Sequence, residues 1–277
     1  MNWDGNKQRD GRRFKFGRNW SRYLRNLNEF HIEQAEKSLI SILGVDDLRD
    51  KTFLDVGSGS GLFSLAAKRL GAKVHSFDYD QDSVNCTTEL KKRYYPDNSD
   101  WTIGKGSALD QGYLRSLGKF DIVYSWGVLH HTGALWQALA DVTIAVGVGG
   151  RLCVAIYNDQ GYASRIWGLV KWAYNRLPGG VRMLILIPAF LRLWGPTILK
   201  DLLRYRYLKT WSRYCSERGM SPWYDVIDWV GGYPFEVAKP EEVMKYVEGL
   251  GFQLRLMKSR GTGRGCNEFV FERTAEE

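Results

Sequence analysis

Between Lys51 and Gly61 the chain reads Lys-Thr-Phe-Leu-Asp-Val-Gly-Ser-Gly-Ser-Gly. Gly57, Gly59 and Gly61 stand at alternate positions directly after the apolar residues Phe53, Leu54 and Val56. Glycine tolerates positive φ and lets a backbone approach a ligand closely. Leu62, Phe63, Leu65, Ala66 and Leu70 then recur at helical spacing. A helix opening there aims the free N–H groups of its first turn into the loop. Strand, glycine turn and helix in this order form a site for a nucleotide-type cofactor at the carboxyl end of a parallel strand.

The dinucleotide fingerprint requires a small residue where this chain has Leu62. Asp55, two residues before the first glycine, would repel a phosphate and attract a cationic group. Both features weigh against a Rossmann-type oxidoreductase, the alternative enzyme class. Ala72 to Asp78 reads as a second strand, and its terminal acid lies 21 residues after Gly57. That is close to the ~20 expected of an acid that accepts hydrogen bonds from ribose hydroxyls.

Further strands are expected at Trp101–Ile103, Phe120–Trp126 and Gly150–Tyr157, with helices at about 81–94, 110–117 and 133–147. Strands alternating with helices imply right-handed crossovers and a parallel sheet. Residues 240–251 read as a helix whose apolar face is Val243, Tyr246, Val247 and Leu250, followed by strands at 252–258 and 267–272.

The glycine loop with its strand acid, Gly-Ser-Ala-Leu-Asp after strand three (106–110), and Phe-Asp-Ile-Val in strand four (120–123) resemble the motifs of class I S-adenosylmethionine-dependent methyltransferases. The resemblance covers about residues 45–159 and 238–273. It is nearest to the small-molecule branch that includes ubiquinone-biosynthesis O-methyltransferases. It implies an α/β fold, a doubly wound, seven-stranded, mostly parallel Rossmann-like sheet. The implied cofactor, S-adenosylmethionine, carries a sulfonium and an amino group and no phosphate, which suits Asp55. The resemblance places it on Asp55, Gly57, Ser58, Gly59 and Gly61, on Asp78 and Tyr79, on Ser107, Ala108 and Leu109, and on Trp126. An N-terminal helix at about 19–43 is expected to cover it in part, with Trp20 among the aromatic residues that precede and open that helix.

Methyl transfer to oxygen or nitrogen is an in-line displacement that requires alignment and, for a hydroxyl, removal of a proton. The groups that do this belong at the carboxyl ends of strands four and five, which selects His131, Tyr157 and Asp159 as catalytic candidates, with His130 and Asn158 beside them. His131 is the first choice for a general base. A helix-start histidine with a satisfied hydrogen bond is the alternative for both histidines. Tyr233 or Glu236 could return to the site at the end of the long connection after strand five.

That connection, 160–236, is the second informative feature. The expected organisation is an N-terminal cover (1–44), a core (45–159 and 237–277), and a helical cap inserted between its two parts. Within the cap, helices are expected at about 161–177, 181–194, 196–216 and 221–230. Residues 160–218 hold eleven Lys or Arg against Asp201 and Glu217, while the whole chain carries a net charge of +8. Trp167, Trp172, Trp194, Trp211, Trp223 and Trp229 lie in the cap. Three readings of this basic, aromatic piece stay open. It is a helical subdomain with a solvated face, a pocket for a large apolar or anionic acceptor (a lipid-linked small molecule or a glycosyl phosphate), or a peripheral contact with an anionic membrane. Its arginines, Arg204, Arg206 and Arg213 among them, favour a negatively charged acceptor or surface.

Nucleic acid is not expected as a partner. Strand four ends Ser125-Trp126-Gly127-Val128 and not in a Pro-Pro-aromatic turn, and no cysteine stands where an RNA carbon methyltransferase needs one. Cys86, Cys153, Cys215 and Cys266 form no Cys-x-x-Cys pair, so reduced thiols and a cytoplasmic setting are expected. Neither a metal site, a secretory leader nor a spanning helix is expected. A non-catalytic binding module that keeps the cofactor fold is the remaining rival.

Overall fold

The computed structural model describes residues 13–204, 209–218, 222–261 and 263–274. Its centre is a seven-stranded sheet: β1 Thr52–Val56, β2 Lys73–Asp78, β3 Trp101–Lys105, β4 Phe120–Trp126, β5 Val146–Tyr157, β6 Phe252–Lys258 and β7 Cys266–Arg273. The order across the sheet is β3-β2-β1-β4-β5-β7-β6. All neighbours pair in parallel except β7, which runs antiparallel to both β5 and β6. The order reverses between β1 and β4, so a crevice opens at their carboxyl ends.

Side chains alternate across the strands. Leu54, Val56, Val123, Leu152, Val154 and Ile156 point to one face, where they pack with Leu114, Leu139, Val243 and Val247. Phe53, Ile122, Tyr124 and Cys153 point to the other, against Ile32, Leu39, Leu65 and Leu90. The first face is therefore covered by α5 (Gln111–Ser116), α6 (Leu135–Thr143) and α11 (Pro240–Glu248), the second by α2 (Glu29–Leu43), α3 (Leu62–Arg69) and α4 (Gln81–Tyr94).

The expected N-terminal helix is two helices, α1 (Gly17–Asn26) and α2. Asn28 is extended and its side chain accepts from His31 N, so it caps α2 and ends the run that precedes it. Between β5 and α11 stand α7 (Tyr162–Arg176), α8 (Met183–Leu203), α9 (Lys209–Arg218) and α10 (Pro222–Gly231). They share a core of their own, with Tyr174, Leu186, Ala189, Val226 and Val230 buried and Trp167 and Trp229 packed against it. The break expected between residues 194 and 196 does not occur, because α8 runs through Pro188 and Pro196. Both prolines lie on its solvent side, as do Leu184 and Arg192 four residues before them, so water can bond the carbonyls that each missing N–H leaves free. By length and composition α8 is long and apolar enough to cross a membrane, against the expectation of no such helix.

The loop between β6 and β7 is fixed by two asparagines. Asn158 Nδ2 donates to the carbonyls of Gly261 and Gly263, at 2.8 and 3.1 Å. Its Oδ1 accepts from Asn267 Nδ2 at 3.0 Å, and Asn267 Oδ1 accepts from Arg260 N at 2.9 Å. Asn267 is fully buried. Asn267→Ala strands two of these groups, Asn158 Oδ1 and Arg260 N, so we expect a loss of about 1–3 kcal/mol in urea unfolding. An unchanged midpoint would show that water replaces the lost bonds.

Candidate active site

The carboxyl ends of β1, β2 and β4 open into a cavity of about 1640 Å³. Gly57, Gly59 and Gly61 all adopt left-handed φ, of 78°, 56° and 80°. Space as well as conformation excludes a side chain at the first two. A Cβ on Gly59 would lie 3.0 Å from the Trp20 indole nitrogen, and one on Gly57 2.5 Å from Val128. Gly59 N donates to Asp78 Oδ2 at 3.0 Å, which ties the loop to the end of β2. Asp80 N donates to the other oxygen, Oδ1, at 2.8 Å. Each carboxylate oxygen keeps a lone pair for a further donor.

Asp55 terminates a buried chain of hydrogen bonds. Trp101 Nε1 donates to Ser76 Oγ at 2.9 Å, Ser76 Oγ to Ser64 Oγ at 2.8 Å, and Ser64 Oγ to Asp55 Oδ2. Burial raises the Asp55 carboxyl to about 7, with the nearby Asp78 charge adding to the rise. Burial likewise raises Asp78 to about 6. Two acids that lose stability by ionising here would gain from a cationic, hydroxyl-bearing ligand between them and the glycine loop.

Every residue expected at the cofactor except Gly61 lines this cavity: Asp55, Gly57, Ser58 and Gly59, then Asp78, Tyr79, Ser107, Ala108, Leu109, Trp126 and Trp20. Gly61 instead forms the turn into α3, packed against Thr87. The Arg13 guanidinium lies over the exposed Tyr79 ring, 4.9 Å from its centroid.

His131 and Tyr157 line the same cavity, with ring centroids 5.4 Å apart. His131 Nδ1 lies 2.6 Å from the Pro234 carbonyl. A carbonyl accepts only, so Nδ1 holds the proton and Nε2 is the acceptor. Burial lowers this imidazole to about 3, so it is neutral at pH 7. Asp159 is not brought to the cavity, a correction to its expected catalytic place. Its Oδ1 accepts from Gly161 N at 2.8 Å and shapes the turn into α7. Tyr233 returns to the cavity wall, whereas Glu236 accepts from Leu135 N and caps α6.

Several lining groups carry no local motif. Asp225 and Asp228 of α10, Arg260 and Arg264 of the β6–β7 loop, and Leu193, Trp194 and Thr197 of α8 all face the cavity. Asn19 Nδ2 donates to Asp228 Oδ1. Burial raises Asp228 to about 7, although the Lys171 charge acts in the opposite sense. Lys171 is itself fully buried among Trp229, Phe235 and Tyr157, and donates to the Trp229 carbonyl. Arg204 and Arg213 do not line the cavity, and Arg206 lies outside the described residues.

A sheet of this order with a glycine loop at its switch point defines a class I methyltransferase fold. Residues 54–152 match the family described as a methyltransferase domain. The chain is 30% identical over 87 residues to the protein-lysine methyltransferase METTL21E of Mus musculus, covering 29% of this chain and 35% of that protein. It is 38% identical over 79 residues to the ribosomal protein L11 methyltransferase of Prochlorococcus marinus (strain MIT 9515), 27% of this chain and 26% of the relative. The chain thus spans about a third or less of the length of these curated relatives. In fold it is similar to magnesium protoporphyrin IX methyltransferase (ChlM) from Synechocystis PCC 6803 with bound S-adenosylhomocysteine. That likeness has a TM-score of 0.54 and 15% identity, over 93% of this chain and 95% of the other. Residues 54–152 thus match a methyltransferase domain, and the fold around them is that of methyltransferases crystallised with S-adenosylmethionine or S-adenosylhomocysteine.

Two outcomes follow for binding. Asp78→Ala is expected to weaken S-adenosylhomocysteine by roughly 1.5–3 kcal/mol in calorimetry; equal affinity would remove Asp78 from the site. Because Asp55 and Asp78 stand raised to about 7 and 6, acidification from pH 7.5 to 5.5 should weaken S-adenosylmethionine. Binding at pH 6.5 should then release protons, visible as a dependence of the heat on the buffer's ionisation enthalpy.

Proposed function

We propose that this protein transfers a methyl group from S-adenosylmethionine to a hydroxyl, or an amine, of a small or lipid-like acceptor. The observation that carries the reading is the reach of the cavity. It runs from the glycine loop past His131 and Tyr157 to α8 and α10, and at about 1640 Å³ it exceeds the roughly 300–1,000 Å³ typical of one ligand. The cofactor supplies a methyl group already activated by sulfonium. Asp55, the glycine loop and Asp78 hold it, Trp20 covers it, and the far half of the cavity is left for an acceptor.

The chain's own residues then orient the acceptor and take its proton. The sequence resemblance to ubiquinone-biosynthesis O-methyltransferases favours oxygen. His131 offers a free Nε2 lone pair at every pH above about 3, because burial keeps it neutral. Asp228 is a second candidate on a specific observation. It faces the same cavity and its carboxyl, raised to about 7, suits proton removal near neutral pH. A lipid-like acceptor brings with it peripheral contact with an anionic membrane, and we place the protein in the cytoplasm with its cysteines reduced. The rival reading, a binding module without turnover, predicts no S-adenosylhomocysteine formation with any acceptor.

With His131 as base, His131→Ala lowers kcat ~10²–10⁴-fold and leaves cofactor affinity unchanged. Once cofactor is saturating, the wild-type rate then shows no loss between pH 8 and 5 attributable to this imidazole. With Asp228 as base, kcat instead rises with pH through a midpoint near 7 and Asp228→Asn abolishes the rise. Full turnover in both variants would mean that the acceptor needs no base.

A further inference from the structure

One face of α8 is built into the protein and the other is exposed among the described residues. Leu186 and Ala189 are buried against α10, and Leu193, Trp194 and Thr197 line the cavity. On the outward side Leu184, Ile187, Leu191 and Leu202 recur at helical spacing and are between 48% and 73% exposed, with Leu199 and Leu203 beside them. Isolated exposed leucines are ordinary; a row that recurs on one side of the helix from Leu184 to Leu202 marks an interaction surface. α7 carries a second stripe, Tyr162, Ile166, Leu169 and Trp172, also exposed.

The charge beside the stripe identifies the partner's chemistry. Arg192 flanks it, and Lys200 and Arg204 stand at the helix's carboxyl end, off the line of the leucines, all exposed. The helix's one acid, Asp201, is buried and accepts from Thr210 N and Oγ1, so it contributes nothing to the outward face. A second copy of the chain on a two-fold axis would bring these basic groups together. A membrane-spanning role would strip the inner face from α10 and from the cavity wall, and would bury Arg192 in hydrocarbon. An anionic lipid surface suits both features. Leucine side chains enter the acyl boundary and Arg and Lys meet the headgroups.

We propose that the outward face of α8 docks the protein on an anionic bilayer, so that one helix stands between the lipid and the acceptor cavity. A helix is about 10–12 Å across, so a lipid-borne acceptor would travel about that distance to reach Thr197 and Trp194. This deepens the methyl-transfer reading by naming where the acceptor comes from; the docking itself does not depend on turnover.

The test uses the full chain and vesicles of phosphatidylglycerol mixed with phosphatidylcholine. The wild type should sediment with them, much less with phosphatidylcholine alone, and less as salt rises. Leu184→Gln, Leu191→Gln and Leu202→Gln together should reduce sedimentation at least about tenfold. These positions lie outside the cavity, so S-adenosylhomocysteine affinity should be unchanged, which also shows that the variant is folded. The proposal is overturned if the wild type stays in the supernatant, or if the triple variant sediments equally well. It is also overturned if light scattering shows a wild-type dimer that the triple variant dissolves, since the face then belongs to a second copy. Failure of the methyl-transfer reading would look different: vesicle binding retained, with no S-adenosylhomocysteine formed from S-adenosylmethionine with any acceptor.

Discussion

The desolvation of two carboxyls beside the glycine loop is the constraint on which the rest of the site depends. Asp55 and Asp78 end adjacent parallel strands, so their proximity is fixed by the β1–β2 register, which pairs Asp55 with Ser76. Ionising both in a buried site is costly without compensation. The fold supplies part of it with donors: Gly59 N and Asp80 N to Asp78, and the Trp101–Ser76–Ser64 chain to Asp55. The remainder is left for a ligand. A cationic ligand would offset the cost that raises both carboxyls, and the same donors that make the strand ends foldable keep the oxygens aimed.

Much of the cavity wall around the glycine loop was legible because it is local. A glycine loop, its strand and its helix are contiguous, and an acid about twenty residues on lands beside them once the crossover is right-handed. Asp78, Ser107 and Trp126 needed only the strand order. The part of the cavity wall built by the cap is assembled from distant pieces. Asn19 and Asp228 meet across 209 residues, and His131 and Pro234 across 103. No periodicity in residues 222–231 distinguishes an inward Asp228 from an outward one until the cap's packing is known. Asp159 shows the converse. Its position after strand five is where a catalytic group could stand, but the chain turns at Gly161 and the carboxylate is spent on that turn.

The prolines of α8 misled for a related reason. Pro188 and Pro196 would break a helix buried all round, because each leaves a carbonyl without its partner. Eight residues apart, both fall on the solvent side, and the helix continues. The sequence feature read as a helix boundary is instead a consequence of the helix having an unburied face.

That two-sidedness joins the cap's composition to its chemistry. A helix that only covered a pocket would be apolar inside and polar outside. α8 is apolar on both sides and basic beside the outer stripe, so packing against α10 accounts for half of its sequence and leaves the outer half unexplained by the fold. The core and the cap also divide the charge. The basic residues concentrate in residues 160–218 and in the N-terminal segment, while the sheet domain that holds the carboxyls is acidic. The acidic part would attract a cationic cofactor and the basic part the anionic surface proposed for α8, and the cavity, lined by His131 of the one and Thr197 of the other, is common to both.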